Sequence, residues 1–388
     1  MEDTTSILTA SKVECIVDRV LSESKLSSLE GLAKEYGLSL KQATADDAWT
    51  RILKCTGQSS DSEEDEISSL HQFQTGRTPW FFGMEIINKE GETCGFVTFY
   101  IAYSSWNGKI LHLDQIQCNI KNEQIERAIL HVLGNMAVGI DCARLTWTHK
   151  ETPKWHQKDS NPPEMHEEVL TLSMDRESMS NYVRESFGDT STKTTHNLPF
   201  TATFVHNSMG SVLKRINSDQ YKFQLRLATK LDVEVMCSLV HGLAVYVKEA
   251  DAVRLGASDY ERDGFLNNPL FYSLIVDTKN EKGDYFPCGF AFFFFGYQLG
   301  KGRFLHLEDL FIKSEHRQGG GGSLAMATLA QIGQVLDLDN FYWQALDWNT
   351  GALSFYNKIG ANIIDGLKTS RYVAHNPGSL KQFAETTL

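Results

Sequence analysis

At ~150 residues per domain, a chain of 388 residues is expected to form two or three domains rather than one. Apolar residues make up 41% and charged residues 22%, which excludes wholesale disorder and leaves apolar surface for at least two substantial cores. Set against 49 acidic side chains, 37 basic ones give a net charge of -12, a field that repels phosphate backbones and anionic headgroups and draws in small cations. Neither nucleic acid nor a membrane surface is expected as a partner.

From the N-terminus, MEDTTSILTA carries acids where a signal peptide needs bases, and Val13, Ile16, Val17, Val20 and Leu21 recur at helical spacing. Residues 1–37 therefore read as a helical segment packed on the first domain. A strand running into a helix start comes next, LKQATADDAW at 40–49, then the solvated acidic run SSDSEEDEISS at 59–69. TPWFFGMEIINKEGETCGFVTFY (78–100) places a Pro-aromatic entry, an apolar strand and a charged turn before Cys-Gly-Phe opens a second strand. GKILHLDQIQCNI occupies 108–120.

All three segments recur: LRLATKLDVE at 225–234, NPLFYSLIVDTKNEKGDYFPCGFAFFFF at 268–295, and GRFLHLEDLFIKS at 302–314, the last at an offset of 194 residues. Repeats this long mean two copies of one domain rather than a solenoid. Each copy reads as strand, helix, loop, two or three antiparallel strands, helix, strand, helix, strand, an α+β pattern. The copies are expected at 38–187 and 222–388, with 188–221, rich in Ser, Thr, Asn and Gly, as a linker holding one short element. The longest apolar run, Gly289 to Tyr297, is about half of the ~20 residues a membrane helix needs. Seven cysteines are odd in number, scattered, and never form C-x-x-C, so free thiols in a reducing cytoplasm are expected.

The segment richest in chemistry is LHLEDLFIKSEHRQGGGGSLAMATLAQIGQVL at 305–336, where a buried strand leads into four glycines that open an amphipathic helix. Glycines there admit a ligand close to the backbone, and the free N–H groups of a helix start point at an anion. A P-loop is ruled out because Gly322 is followed by Ser323 and Leu324, with no lysine. Three readings stay open: a Rossmann fingerprint, Gly320-x-Gly322-x-x-Ala325 with Asp347 as ribose partner; a basic residue before a phosphate loop, Arg317-x-x-Gly320-x-Gly322; and a bare hinge. No metal-ligand spacing surrounds Cys288, His112 or His306, which read as packing or surface residues, and no metal is expected.

The Arg-x-x-Gly-x-Gly run resembles the acetyl-coenzyme A signature of the GCN5-related N-acetyltransferases (GNAT). LRLATKLD, GLAVYVKEADAV, YERDGFLNNPLFYSLIVD, LHLEDLFIKSEHRQGGGGSLA and ALDWNTGALSFYNKIGA together resemble the diamine (spermidine/spermine) and thialysine branch. The resemblance implies two tandem GNAT-like domains, each a mixed, mostly antiparallel twisted sheet flanked by helices, with acetyl-CoA as co-substrate. It implies that Leu310, Phe311 and Ile312 pair their backbone with the pantetheine arm, and that Arg317, Gln318, Gly319, Gly320, Gly321, Gly322 and Ser323 cradle the pyrophosphate. Asn349 and Ala352 match positions lining the cofactor, Tyr356 the acid facing the departing thiolate, and Glu308 the base that takes the amine's proton. Elementary chemistry agrees: an ammonium of pKa ~10.4 needs a base near neutral pH, and a thiolate of ~8.5 is served by a phenol near ~10. Because neighbours on a strand face opposite ways, Glu308 and Asp309 are not expected to share one cleft.

Copy one departs from this pattern. Aligned on the LHL repeat, Arg317, Gly320 and Gly322 meet Glu123, Glu126 and Ala128, and only Asp114 survives as a strand carboxylate. Nor does WTHKETPKWHQKDS offer a counterpart to the SFY of copy two. Copy one is expected to be a catalytically dead twin, and because relatives in this branch are homodimers, the chain is expected to be an internal pseudo-dimer. The amine loop reads Tyr246-Val247-Lys248-Glu249, lacking one carboxylate of the branch's Tyr-Glu-Lys-Glu, so Tyr246, Glu249 and Asp251 are the candidate substrate contacts. Acetylation of a primary amine (polyamine, thialysine or lysine-like, or another small amine) in a ternary complex is expected. A non-catalytic acyl-CoA sensor or scaffold and a nicotinamide dehydrogenase are the alternatives.

Overall fold

A computed structural model describes residues 8–22, 27–44, 46–56, 81–150, 163–166, 169–189, 200–217, 222–373 and 379–385. Its first part has helices Ala10–Ser22 (α1) and Ser27–Tyr36 (α2), strand Ser39–Gln42 (β1), helix Asp46–Thr56 (α3), and strands Phe81–Ile87 (β2), Thr93–Ser104 (β3) and Gly108–Cys118 (β4). Next come helix Glu123–Ile140 (α4), strands Arg144–His149 (β5), Glu164–His166 (β6) and Val169–Asp175 (β7), and helix Arg176–Phe187 (α5). After Ala202–Ile216 (α6) stand Phe223–Leu227 (β8), Val233–Tyr246 (α7), Ala257–Gly264 (α8), Tyr272–Lys279 (β9), Tyr285–Gln298 (β10) and Gly302–Ile312 (β11). The chain continues through Gly321–Val335 (α9), Asn340–Leu346 (β12), Thr350–Lys358 (α10), Asn362–Ile363 (β13), Lys368–Val373 (β14) and Ser379–Glu385 (α11).

Two seven-stranded sheets result, ordered β1-β2-β3-β4-β5-β14-β6 and β13-β7-β12-β11-β10-β9-β8. Pairs β4–β5 and β11–β12 are parallel and the other described pairs antiparallel, so the α+β architecture expected from the repeats is the one that forms. The sheets nevertheless cut across the intervals 38–187 and 222–388. β7 leaves copy one to pair with β12 (Leu172↔Trp343), and β14 leaves copy two to pair with β5 (Tyr372↔Leu145).

Apolar burial drives both exchanges. Leu172 and Met174 enter one core with Phe341 and Trp343, and Tyr372 stacks on Phe383 of α11 at 3.9 Å and packs on Trp147 at 5.7 Å. The helix after each exchanged strand travels with it: Met179, Tyr182 and Val183 of α5 join the core that holds α9, and the Asn135 amide of α4 donates to the Ala384 carbonyl of α11 at 2.9 Å. Each of the two cores contains residues of both copies. Ring pairs Phe81–Tyr297 at 5.1 Å, Tyr100–Phe304 at 5.4 Å and Tyr103–Phe271 at 4.9 Å cross between them, the packing of a fused pseudo-dimer.

Within 188–221, where one short element is expected, Ala202–Ile216 forms a helix of 15 residues. Thr201 caps α6 by accepting from the Phe204 N–H at 3.1 Å, and Val205, Met209, Val212, Leu213 and Ile216 form a buried stripe. The polar residues around that helix hide its periodicity in the sequence. At the N-terminus α1 buries Val13, Ile16, Val17 and Val20, and α2 comes directly after it. The acidic run 59–69, residues 190–199 and 218–221, and most of WTHKETPKWHQKDS lie outside the described residues. No helix among the described residues is long and apolar enough to cross a membrane.

Candidate active site

β11 and β12 stay in register only from Phe304↔Asn340 to Leu307↔Trp343. Beyond that point β12 continues against β7 while β11 runs on to Ile312 against β10. The strands therefore splay, and the backbone of Leu310, Phe311 and Ile312 has no strand partner on its β12 side. A bulge sits at the start of the splay: Phe292 faces Asp309 and Phe293 faces Leu307, leaving Glu308 as the extra residue. Strict alternation fails there. The Asp309 charge reaches Glu308 and raises its pKa.

Burial is the larger cause of that rise in Glu308, and Arg144 and the Ser104 hydroxyl oppose it. The Glu308 side chain keeps 23% of its surface open, and its Oε2 lies 3.8 Å from Nε2 of His306. Burial drives the His306 imidazole down to about 4, so it stays neutral and offers no counter-charge. Asp309 is raised by burial, opposed by the Ser105 hydroxyl, which donates to it, and by the nearby Trp106 indole. Tyr356 is 8% exposed, packed 5.3 Å from the rings of Trp343 and Phe355. Its phenol is pushed up to about 12, first by burial and then by the Asp309 charge, which sets it within electrostatic reach of Asp309.

A 3-10 turn, Ser314–His316, leads from β11 into the glycine run. Gln318 and Gly320 take left-handed φ of 62° and 92°, turning successive N–H groups toward one side. The first helical bond, Leu324 N–H to Gly320 C=O at 2.9 Å, leaves the amides of Gly321, Gly322 and Ser323 without acceptors inside the helix. The four glycines divide by role. A Cβ on Gly319 or Gly321 meets the Phe223 ring at 3.0 or 3.3 Å, whereas at Gly320 and Gly322 it meets nothing within 4 Å. An open concavity of amide donors at a helix start fits a diphosphate.

Arg317 is held at the edge of this concavity: Nε donates to the Ile312 carbonyl at 2.8 Å and the guanidinium lies 4.1 Å over the Tyr246 ring. Asn349 caps α10, accepting from the Ala352 N–H at 3.3 Å, and Ala352 packs against the core. Tyr246, expected among the substrate contacts, thus faces the cradle. Glu249 and Asp251 are exposed around the 3-10 turn Ala250–Ala252, and the charge of Glu249 reaches Arg144.

Residue-level reading of the sequence did not name Ser104, Ser105 or Arg144, placed Asp309 outside the Glu308 cleft and set His306 aside as packing or surface. Alternation does not announce the bulge beside Asp309, and Ser104, Ser105 and Arg144 arrive from the other copy.

Copy one repeats the splay, with register from Ile110↔Arg144 to Leu113↔Trp147, and repeats the bulge at Asp114. Its helix start is already satisfied, since Asn122 accepts from the Gln124 N–H at 2.8 Å and Glu123 and Glu126 occupy the first turn. Asp114 accepts from Thr98 at 2.9 Å and from the Leu299 N–H at 3.2 Å.

A family model described as the acetyltransferase (GNAT) family matches residues 245–361. Thialysine N-epsilon-acetyltransferase of Bos taurus is 30% identical over 140 residues, covering 35% of this chain and 82% of that protein. Spermidine/spermine N(1)-acetyltransferase-like protein 1 of Homo sapiens is 31% identical over 141 residues, 36% of this chain, and the match spans only 20% of that protein's length. A tandem GNAT protein from the clavulanic acid biosynthesis pathway aligns over 86% of this chain and 97% of its own, with a TM-score of 0.42 and 11% identity. The splayed strands, the bulged carboxylate and the glycine-opened helix all fall inside the family match, and the chain belongs to the GCN5-related N-acetyltransferase family.

Proposed function

We propose that copy two transfers acetyl from acetyl-CoA directly to a primary amine within a ternary complex, and that copy one is non-catalytic. One observation carries this reading: the open amide concavity over Gly320 and Gly322 continues into the unpaired β11 edge, which leads to Glu308. The amides of Gly321, Gly322 and Ser323 with Arg317 would hold the diphosphate, and the edge of Leu310 to Ile312 the amide-bearing arm, the bound thioester supplying the acetyl group.

Glu308 takes a proton from the acceptor ammonium, a task suited to a carboxylate whose pKa is raised toward neutrality. Tyr356, protonated throughout the neutral range, donates a hydrogen bond to the departing sulfur. A phenol at about 12 is a weak proton donor to a thiolate of ~8.5, so its share is a hydrogen bond that strengthens as charge develops. The acceptor is a small amine of the polyamine, thialysine or lysine-like kind, the class for which the relatives are named. All seven cysteines are free thiols, three of them buried, which supports a cytoplasmic location.

A panel of polyamines, thialysine, lysine and simple amines mixed with acetyl-CoA and followed by thiol release tests the proposal. Turnover of at least one amine, with calorimetric binding of coenzyme A, is expected. Coenzyme A affinity without turnover of any amine sinks the transfer reading.

A further inference from the structure

We propose that the β3–β4 hairpin tip of the non-catalytic copy positions the carboxylates of the catalytic copy, through the hydroxyls of Ser104 and Ser105. The inference rests on the acetyl-transfer reading and adds to it two residues from outside the matched stretch.

Both serines are sealed from solvent, at 2% and 0% exposure, although they sit at a turn, where hydroxyls normally face water. Ser105 Oγ donates to Asp309 Oδ2 in a short hydrogen bond across the two copies. Ser104 accepts from the Trp106 N–H at 3.3 Å, and its hydroxyl is near enough to Glu308 to oppose the rise in that carboxylate's pKa. The tip is clasped in turn by copy two. Tyr260 of α8 donates to the Ser105 carbonyl at 2.5 Å, and the Arg254 N–H donates to the Trp106 carbonyl at 2.8 Å. Tyr103, just before the tip, donates to Asp263 at 2.9 Å.

The reverse contact supplies the contrast. Gln298 and Leu299 stand where the repeat offset places Ser104 and Ser105, and their hairpin reaches into copy one. There Leu299, 1% exposed, gives its N–H to Asp114 and takes a bond from Gln115 Nε2 at 2.7 Å on its carbonyl. The exchange is reciprocal in geometry and differs in its groups: the Gln298 side chain and the Leu299 N–H act on Asp114, while two hydroxyls act on the carboxylates of copy two.

Groups that face these carboxylates set the expected pH behaviour. Around Glu308 they are Asp309, neutral His306, Arg144 of β5 and Ser104; around Asp309 they are Glu308, Ser105, Trp106, Tyr260 of α8 and Tyr356 of α10. The Ser104 hydroxyl opposes the rise of Glu308, so removing it moves the activity to higher pH; Ser105 donates to ionised Asp309, so removing it favours neutral Asp309, relieves the charge that raises Glu308 and moves the activity to lower pH.

The test compares the pH profile of kcat/KM for the wild type, Ser104→Ala, Ser105→Ala, the double variant and the hydroxyl-retaining Ser104→Thr. In Ser104→Ala the acid limb is expected to move up by about one unit, roughly tenfold less activity on the limb, and in Ser105→Ala to move down, with coenzyme A affinity kept in both and the limb restored in Ser104→Thr. If the double variant does not fold, the two single alanine variants are read in the same way. An active wild type whose limb is unmoved in every folded alanine variant overturns this inference and leaves the transfer reading standing. A wild type that turns over no amine sinks the transfer reading itself.

Discussion

In the proposed reaction Glu308 and Tyr356 divide the work because burial acts on them in one direction with different consequences. It raises both: the carboxylate becomes a stronger base, and the phenol becomes a permanent donor. Only ionised Glu308 accepts a proton, so activity should climb with pH through its raised pKa, giving an acid limb above the ~4.3 of a free glutamate. Glu308→Gln should remove that limb and lower kcat by about 10² to 10³. Tyr356→Phe should cost kcat about 10² with coenzyme A affinity unchanged, measured by steady-state thiol release beside calorimetry. These two residues were legible in the sequence because the HLED and SFYNKIGA runs resemble the family's motifs. The bulge at Glu308 was not, since a single inserted residue leaves the apolar pattern of β11 intact.

At the scale of the element, the glycine run separates shape from binding. Gly322→Val places a side chain in open space on the first turn of α9, so stability should change by about 0.5 kcal/mol or less while coenzyme A affinity falls at least tenfold. Gly320→Ala forces a Cβ into φ 92° and should lower stability by about 1 kcal/mol as well as affinity. Chemical unfolding alongside calorimetry distinguishes the two effects. The strand-to-glycine-to-helix order was plain from periodicity alone. The splay that exposes the edge of β11 was not, because it arises where β12 leaves β11 for β7, a pairing set by residues more than a hundred positions upstream.

For the whole molecule, the repeat told of two copies but not of their exchange. Both copies carry the same apolar pattern, so a strand such as β7 fits either sheet by sequence, and the choice is made by packing against Trp343 rather than by anything local. A fragment of residues 222–388 should therefore be insoluble, because without β7 the edge of β12 from Asn340 to Leu346 is bare. Co-expression with residues 1–189 should restore a soluble complex. Cleavage of the intact protein at a protease site placed between 190 and 199 should leave the two pieces co-eluting in gel filtration and melting in one transition.

The place of β14 between β5 and β6 also governs the order of events during synthesis. The N-terminal sheet cannot close until residues beyond 373 have left the ribosome, on the order of ten seconds or more after His149 emerges at ~5–20 residues per second. For that interval a nascent chain presents an incomplete β edge to the cell, so translation speed and holding chaperones govern its yield more than they would for two domains folding in turn.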